Sequence, residues 1–93
     1  MRELKKQFVG TGEVRGFKFT QIRSTNRAFL YEVDTGDSIY YETFKKVINK
    51  RFVCVSYPKA KYFGFWAWTY PTLEQATKKF NQLNQVKKPN LIK

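Results

Sequence analysis

Residues 62–70 read YFGFWAWTY, six aromatic side chains in nine positions, directly after the basic stretch PKAK. As a β-strand this run would place Phe63, Phe65 and Ala67 on one side and Tyr62, Trp66, Trp68 and Tyr70 on the other, because successive side chains point to opposite faces. Both sides are then apolar. A sheet holding such a strand needs a cover on each face: a helix on one, and on the other a curled sheet, a second subunit in a homodimer, or a ligand. In a small domain large aromatics commonly fill the core. Left bare, Tyr62, Trp66, Trp68 and Tyr70 would instead make a platform on which bases stack, with Lys59 and Lys61 beside it for phosphates, or a patch for a protein partner.

The chain has 93 residues, enough to bury one core and too few for two, so a single domain over 1–93 is expected. Eighteen Lys and Arg stand against seven Asp and Glu, a net charge of +11. That imbalance concentrates anions around the molecule and favours polyanionic partners, nucleic acid (DNA or RNA) first among them. The basic residues fall in groups. Arg15, Lys18, Arg23 and Arg27 surround a first hairpin, and Lys45, Lys46, Lys50 and Arg51 follow it; Lys59 and Lys61 adjoin the aromatic run, and Lys78, Lys79, Lys87 and Lys88 come last. Charge runs are usually no more than a solvated face, but here the acids that normally intersperse them are scarce, which gives them weight as a phosphate-binding surface. Lys87 and Lys88 also suit the C-terminal end of a helix.

No histidine is present, which removes the commonest general base and the commonest zinc ligand. The acids are scattered singly apart from Asp34 and Asp37 in DTGD. Magnesium-dependent nuclease chemistry needs clustered carboxylates, whereas Asp-Thr-Gly-Asp is what a tight turn requires. Ser56 and Tyr57 beside Lys59 could suggest a nucleophile, but the chain offers no evident oxyanion site to go with them. The sequence therefore points to a non-enzymatic protein without cofactor or metal. Cys54, the one cysteine, can form no internal disulfide and reads as a small buried residue, which fits a reducing, cytoplasmic compartment. The start MRELKKQFVG lacks the apolar segment of a signal peptide, and no stretch nears the roughly 20 apolar residues that span a bilayer, so no membrane partner is expected.

Along the chain, residues 1–11 show little periodicity and read as a flexible or edge-docked arm. EVRGFKFTQIR (13–23) alternates around Phe17 and Phe19, then shifts phase to reach Ile22, as a strand with a bulge would. STN connects it to RAFLYEV, with Phe29, Tyr31 and Val33 on one face, and the turn DTGD leads to SIYYETFKKVI. That last segment also has helical spacing at Tyr40, Phe44, Val47 and Ile48; a strand is preferred because its Ile- and Tyr-rich start follows a hairpin-like turn. FVCVSY (52–57) reads as a short strand and 62–70 as the strand returning against it. Pro71 ends that strand. Thr72 and Gln75 then have capping-box spacing, and Leu73, Ala76, Phe80 and Leu83 share one face of an amphipathic helix over 72–85, with Pro89 as its stop and 87–93 as a tail. The expected fold is α+β: a curled, mainly antiparallel sheet of four to five strands with the C-terminal helix packed on one face.

The segment WAWTYPTLEQATKKFN (66–81) resembles the strand-to-helix junction of plant ethylene-response-factor DNA-binding domains and of the arm-binding domains of phage and transposon integrases, through Trp66, Trp68, Thr72, Glu74, Ala76 and Phe80. The resemblance implies a three-stranded sheet lying in the major groove with the helix behind it, and Lys59, Lys61, Trp66 and Trp68 on the DNA-facing side. The expected function is non-catalytic nucleic-acid binding through a basic, aromatic-bearing sheet. The candidate residues are Arg15, Lys18, Arg23, Arg27, Lys45, Lys46, Lys50, Arg51, Lys59, Lys61, Tyr62, Trp66 and Trp68. The alternative is a small accessory protein, of phage or mobile-element type, that binds an acidic protein or ribonucleoprotein and inhibits or regulates it, its aromatic patch the interface core and its charges the rim.

Overall fold

The computed structural model describes residues 3–85; the expected tail over 87–93, with Lys87, Lys88 and Pro89, lies outside them. Strands β1 (Gln7–Val9), β2 (Lys18–Ser24), β3 (Ala28–Asp34) and β4 (Ile39–Lys45) are followed by a two-stranded excursion, β5 (Ile48–Asn49) and β6 (Cys54–Val55). Strand β7 (Ala67–Tyr70) and helix α1 (Leu73–Asn84) complete the order. The main sheet runs β1-β2-β3-β4-β7, every neighbouring pair antiparallel. With one α-helix beside the sheet among the described residues, the fold is α+β.

The central strand β3 explains the layering. Ala28 and Leu30 face the helix, while Phe29, Tyr31 and Val33 face the other way, and all five are buried. A strand covered on both faces carries the near-continuous apolar run that AFLYEV shows. Under the helix, Ala76 and Phe80 pack on Ala28 and Leu30, and Thr43 Oγ1 donates to the Ala76 carbonyl at 3.0 Å. Two alanines meeting there let helix and sheet approach closely. The opposite face is closed by chain from two places: Leu4, Phe8, Val14 and Phe17 from the N-terminal region, and Val55, Tyr57, Phe63 and Trp66 from the 46–66 excursion. Tyr57 is the hub of this layer, edge-on to Phe8, Phe19, Tyr31 and Phe44 at 4.9–5.5 Å between ring centres.

Several local expectations hold. The phase shift at Ile22 is a bulge, with the β2–β3 register slipping between Gln21 and Arg23. DTGD is a turn in which Asp34 Oδ1 accepts from the Gly36 N–H at 2.9 Å and Ser38 C=O from the Thr35 N–H at 2.9 Å. Residues 39–45 are strand, not helix. Thr72 caps α1, its Oγ1 accepting from the Gln75 N–H at 3.2 Å.

Of the two readings of the N-terminal arm, the edge-docked one holds: Gln7–Val9 pairs with β2 as an edge strand. Others need correction. The strand expected over 52–57 shrinks to Cys54–Val55, pairing with Ile48–Asn49 outside the main sheet, and Cys54 is half-buried, not buried. The aromatic run is strand only from Ala67 onward. Residues 60–62 form a 3-10 turn, and Gly64 takes φ +97°, a left-handed conformation that breaks the pleat. Trp66 therefore packs with Phe44 and Tyr62 on one face, while Trp68, opposite Thr43, lies on the helix side. The four aromatics expected on one side are divided between two.

Candidate nucleic-acid interface

Sheet register decides which charges meet. Lys45 lies opposite Ala28, and Arg23 opposite Leu30, so both project from the helix side of the sheet at the end where β4 finishes. The turn joining β2 to β3 holds Arg27 there: its carbonyl accepts from the Lys46 N–H at 2.8 Å. The Thr25 hydroxyl in the same turn is hydrogen-bonded to Asn84 Oδ1, which brings in the C-terminal end of α1. Cations around a helix C-terminus are electrostatically favoured, which stabilises this arrangement without any ligand. Lys5 and Lys6 join from the docked arm, the Lys6 carbonyl accepting from Gln21 N–H at 2.7 Å and the Lys5 carbonyl from Tyr31 Oη at 2.6 Å.

The aromatic run reaches this end through its first half. Trp66 C=O accepts from Lys45 N–H at 2.9 Å, and Tyr62 C=O from Trp66 N–H at 3.2 Å. The Tyr62 and Trp66 rings lie 5.0 Å apart, and Lys61 Nζ sits 5.1 Å from the Tyr62 ring centre. Both rings are half-buried, so each keeps an open part beside the lysines. Directly after Lys46 the chain enters the β5–β6 excursion, whose tip is Lys50-Arg51-Phe52-Val53. The Asn49 side chain organises that tip by accepting from the Arg51 and Phe52 N–H groups at 3.0 and 3.3 Å. Phe52 is 68% exposed with Arg51 5.5 Å from its ring, and Val53 carries φ +49°, unusual for a β-branched residue.

The opposite end of the sheet is acidic. Asp34 and Asp37 occupy the β3–β4 turn, Glu13 lies in the adjoining 10–17 loop, and Glu74 is in the first turn of α1. Their basic neighbours are Arg15 and Lys18, Lys18 lying directly opposite Asp34. At the basic end the acid is Glu3, paired with Lys46 at 3.2 Å. An ion pair this exposed contributes little to stability, but it partly neutralises Lys46.

Of the sequence-selected residues, the fold thus gathers Arg23, Arg27, Lys45, Lys46, Lys61, Tyr62 and Trp66 at one end, with Lys50 and Arg51 extending from it. Arg15 and Lys18 are at the other end. Trp68 is on the helix side with Lys79 Nζ 4.0 Å over its ring, a cation–π contact. Lys59 lines hollows on both sides of the 57–63 segment. Lys5, Lys6 and Phe52 are additions. Leu4 and Phe8 in the arm were the signal that Lys5 and Lys6 would be held, because large apolar residues in a charged segment need a core to enter; nothing in FVCVSY marks Phe52 as exposed.

Among the described residues there is no group of three or more Cys, Asp or Glu placed to hold a metal, and no helix long and apolar enough to cross a membrane. Comparison with protein-family models, with curated proteins and with solved structures yields no match to this chain.

Proposed function

We propose that the protein is a non-catalytic nucleic-acid-binding module that meets the phosphate backbone with the basic end of its sheet. The observation that supports this is the segregation of charge: Arg23, Arg27, Lys45, Lys5 and Lys6 gather at one end of the sheet, with Lys50 and Arg51 on the excursion that leaves it, while four of the seven acids collect at the other end. Evenly spread lysines would serve solubility alone. Tyr62 and Trp66, on the other face of the same end and beside Lys61, lie where a base of a single strand could stack, a contact worth about 1–3 kcal/mol per base. Cys54, a free thiol, suits a reducing cytoplasmic setting.

The test is a titration with single-stranded and duplex oligonucleotides at two salt concentrations, followed by tryptophan fluorescence. Binding should weaken steeply with salt, and Arg23→Ala or Arg27→Ala should each reduce the salt slope by about 1. Arg15→Ala and Lys18→Ala should leave it unchanged. Equal losses from both ends, or binding indifferent to salt, would sink the proposal.

A second reading draws on the excursion tip. Phe52 and Val53, 68% and 57% exposed, form an apolar point flanked by Lys50 and Arg51, the anatomy of an anchor with a charged rim. On this reading the protein is a small accessory protein that docks on an acidic protein or ribonucleoprotein. Phe52→Ser would then abolish a stoichiometric, nuclease-resistant complex while leaving oligonucleotide affinity intact.

A further inference from the structure

Between the 10–14 loop and the 57–63 segment lies a cavity of about 760 Å³, within the range of small-molecule sites. Phe8, Phe19, Tyr57 and Phe63 contribute apolar lining, and Glu42 and Thr69, opposite each other on β4 and β7, contribute to the floor. Glu42 is 7% exposed, a position where a carboxylate is normally paired with a cation. It has none: the ion pair among the described residues is Lys46–Glu3. Tyr57 Oη donates to Glu42 Oε1, and Oε2 has no hydrogen-bond partner among the described residues. No side-chain oxygen there is both sealed and unpartnered, so Oε2 keeps contact with the cavity. On a chain of net charge +11, an acid has thus been placed inside an aromatic-walled hollow, with Glu13 at the wall as a second acid and Lys59 as the basic residue.

We infer that this cavity binds a small organic ammonium cation, its charged head against Glu42 Oε2 and its apolar body among the rings. Desolvated aromatic walls attract a cation through their electron-rich faces, and a quaternary or alkylated ammonium sheds its hydration more readily than a bare metal ion. A carboxylate behind those walls supplies the counter-charge that a neutral ligand would not need. The site is separate from the basic end and does not depend on what that end binds.

The probes are choline and its uncharged isostere 3,3-dimethylbutan-1-ol, titrated into the full chain and followed by amide chemical shifts of Gly10, Thr11, Ala60 and Thr69. Choline should give saturable shifts at these amides and the isostere should bind at least about tenfold more weakly, since only the cation gains from ring faces and carboxylate. Glu42→Gln, which keeps the size and the Tyr57 contact, should lose most of the choline affinity. Thr69→Lys, at an exposed residue opposite Glu42, should block the cavity with a tethered ammonium even if Glu42→Gln altered the fold. Equal affinity for the two probes, choline binding unaffected by either variant, or no choline shifts at these amides would each overturn the assignment.

Discussion

Glu42 is the residue whose chemistry departs furthest from its surroundings. Burial pushes its carboxyl above the usual range, and the hydrogen bond from Tyr57 only partly offsets this. Burial and the neighbouring Glu42 charge raise Tyr57 in turn, so the tyrosine stays protonated throughout the range in which Glu42 titrates. The folded state therefore holds the Glu42 proton more tightly than the unfolded chain does. Its contribution to stability is fully present below the unfolded carboxylate value and is lost as pH rises through the raised folded value. Glu42→Gln removes this loss. Its melting temperature should match the parent near about pH 4 and exceed it near about pH 8, a difference that thermal melts across the pH range would reveal. A parent chain equally stable at both ends of that range would contradict the placement of the acid. At Gly10 the constraint is space, not charge. A Cβ would stand 2.4 Å from the Val14 carbonyl oxygen, so any side chain there displaces the loop that walls the cavity.

At the scale of elements, what could be foreseen follows from how local each cause is. The turn between β2 and β3, the bulge at Ile22, the DTGD turn and the Thr72 cap are written in a few adjacent residues and were legible, as was the apolar face of α1 apart from Leu73, which is exposed; the strand expected from Glu13 begins only at Lys18. The aromatic run was misread as one strand because composition outweighed its single glycine; Gly64 lets the chain turn, and the turn sends Trp66 and Trp68 to different faces. The β5–β6 excursion was illegible for another reason. It is held by Tyr57 entering an aromatic box assembled from β1, β2, β3 and β4, contacts set by the tertiary fold and absent from FVCVSY itself. The candidate interface shared this fate: its basic groups were visible, but only register separates Arg23 from Lys18. The tip of the excursion carries its own prediction. Left-handed backbone costs a β-branched residue about 1–2 kcal/mol, and glycine returns part of that as lost chain entropy. Val53→Gly should slow amide exchange around Ile48 and Val55, corresponding to about 0.5–1 kcal/mol of local stabilisation. If the excursion serves binding, the same variant should weaken it, because Val53 is largely exposed and contributes little to the core.

For the whole molecule, the two covers of the sheet differ in kind. One is a single capped helix. The other is a mosaic of irregular chain around Tyr57, and its incomplete closure leaves the cavity above Glu42. Loss of the Tyr57 ring should cost more than any other single truncation on that face. Tyr57→Ala is expected to lower stability by about 3–5 kcal/mol in denaturant melts, against about 1–2 kcal/mol for Tyr57→Phe, which leaves the ring and removes the donor to Glu42. Placing bases at one end of the sheet and acids at the other also makes the described part of the chain a dipole, and a dipole has a heading. An approaching polyanion would turn it basic end first before any side chain touches, over distances that added salt shortens to about 8 Å at physiological strength. Salt would then act first on arrival, slowing association before it hastened release.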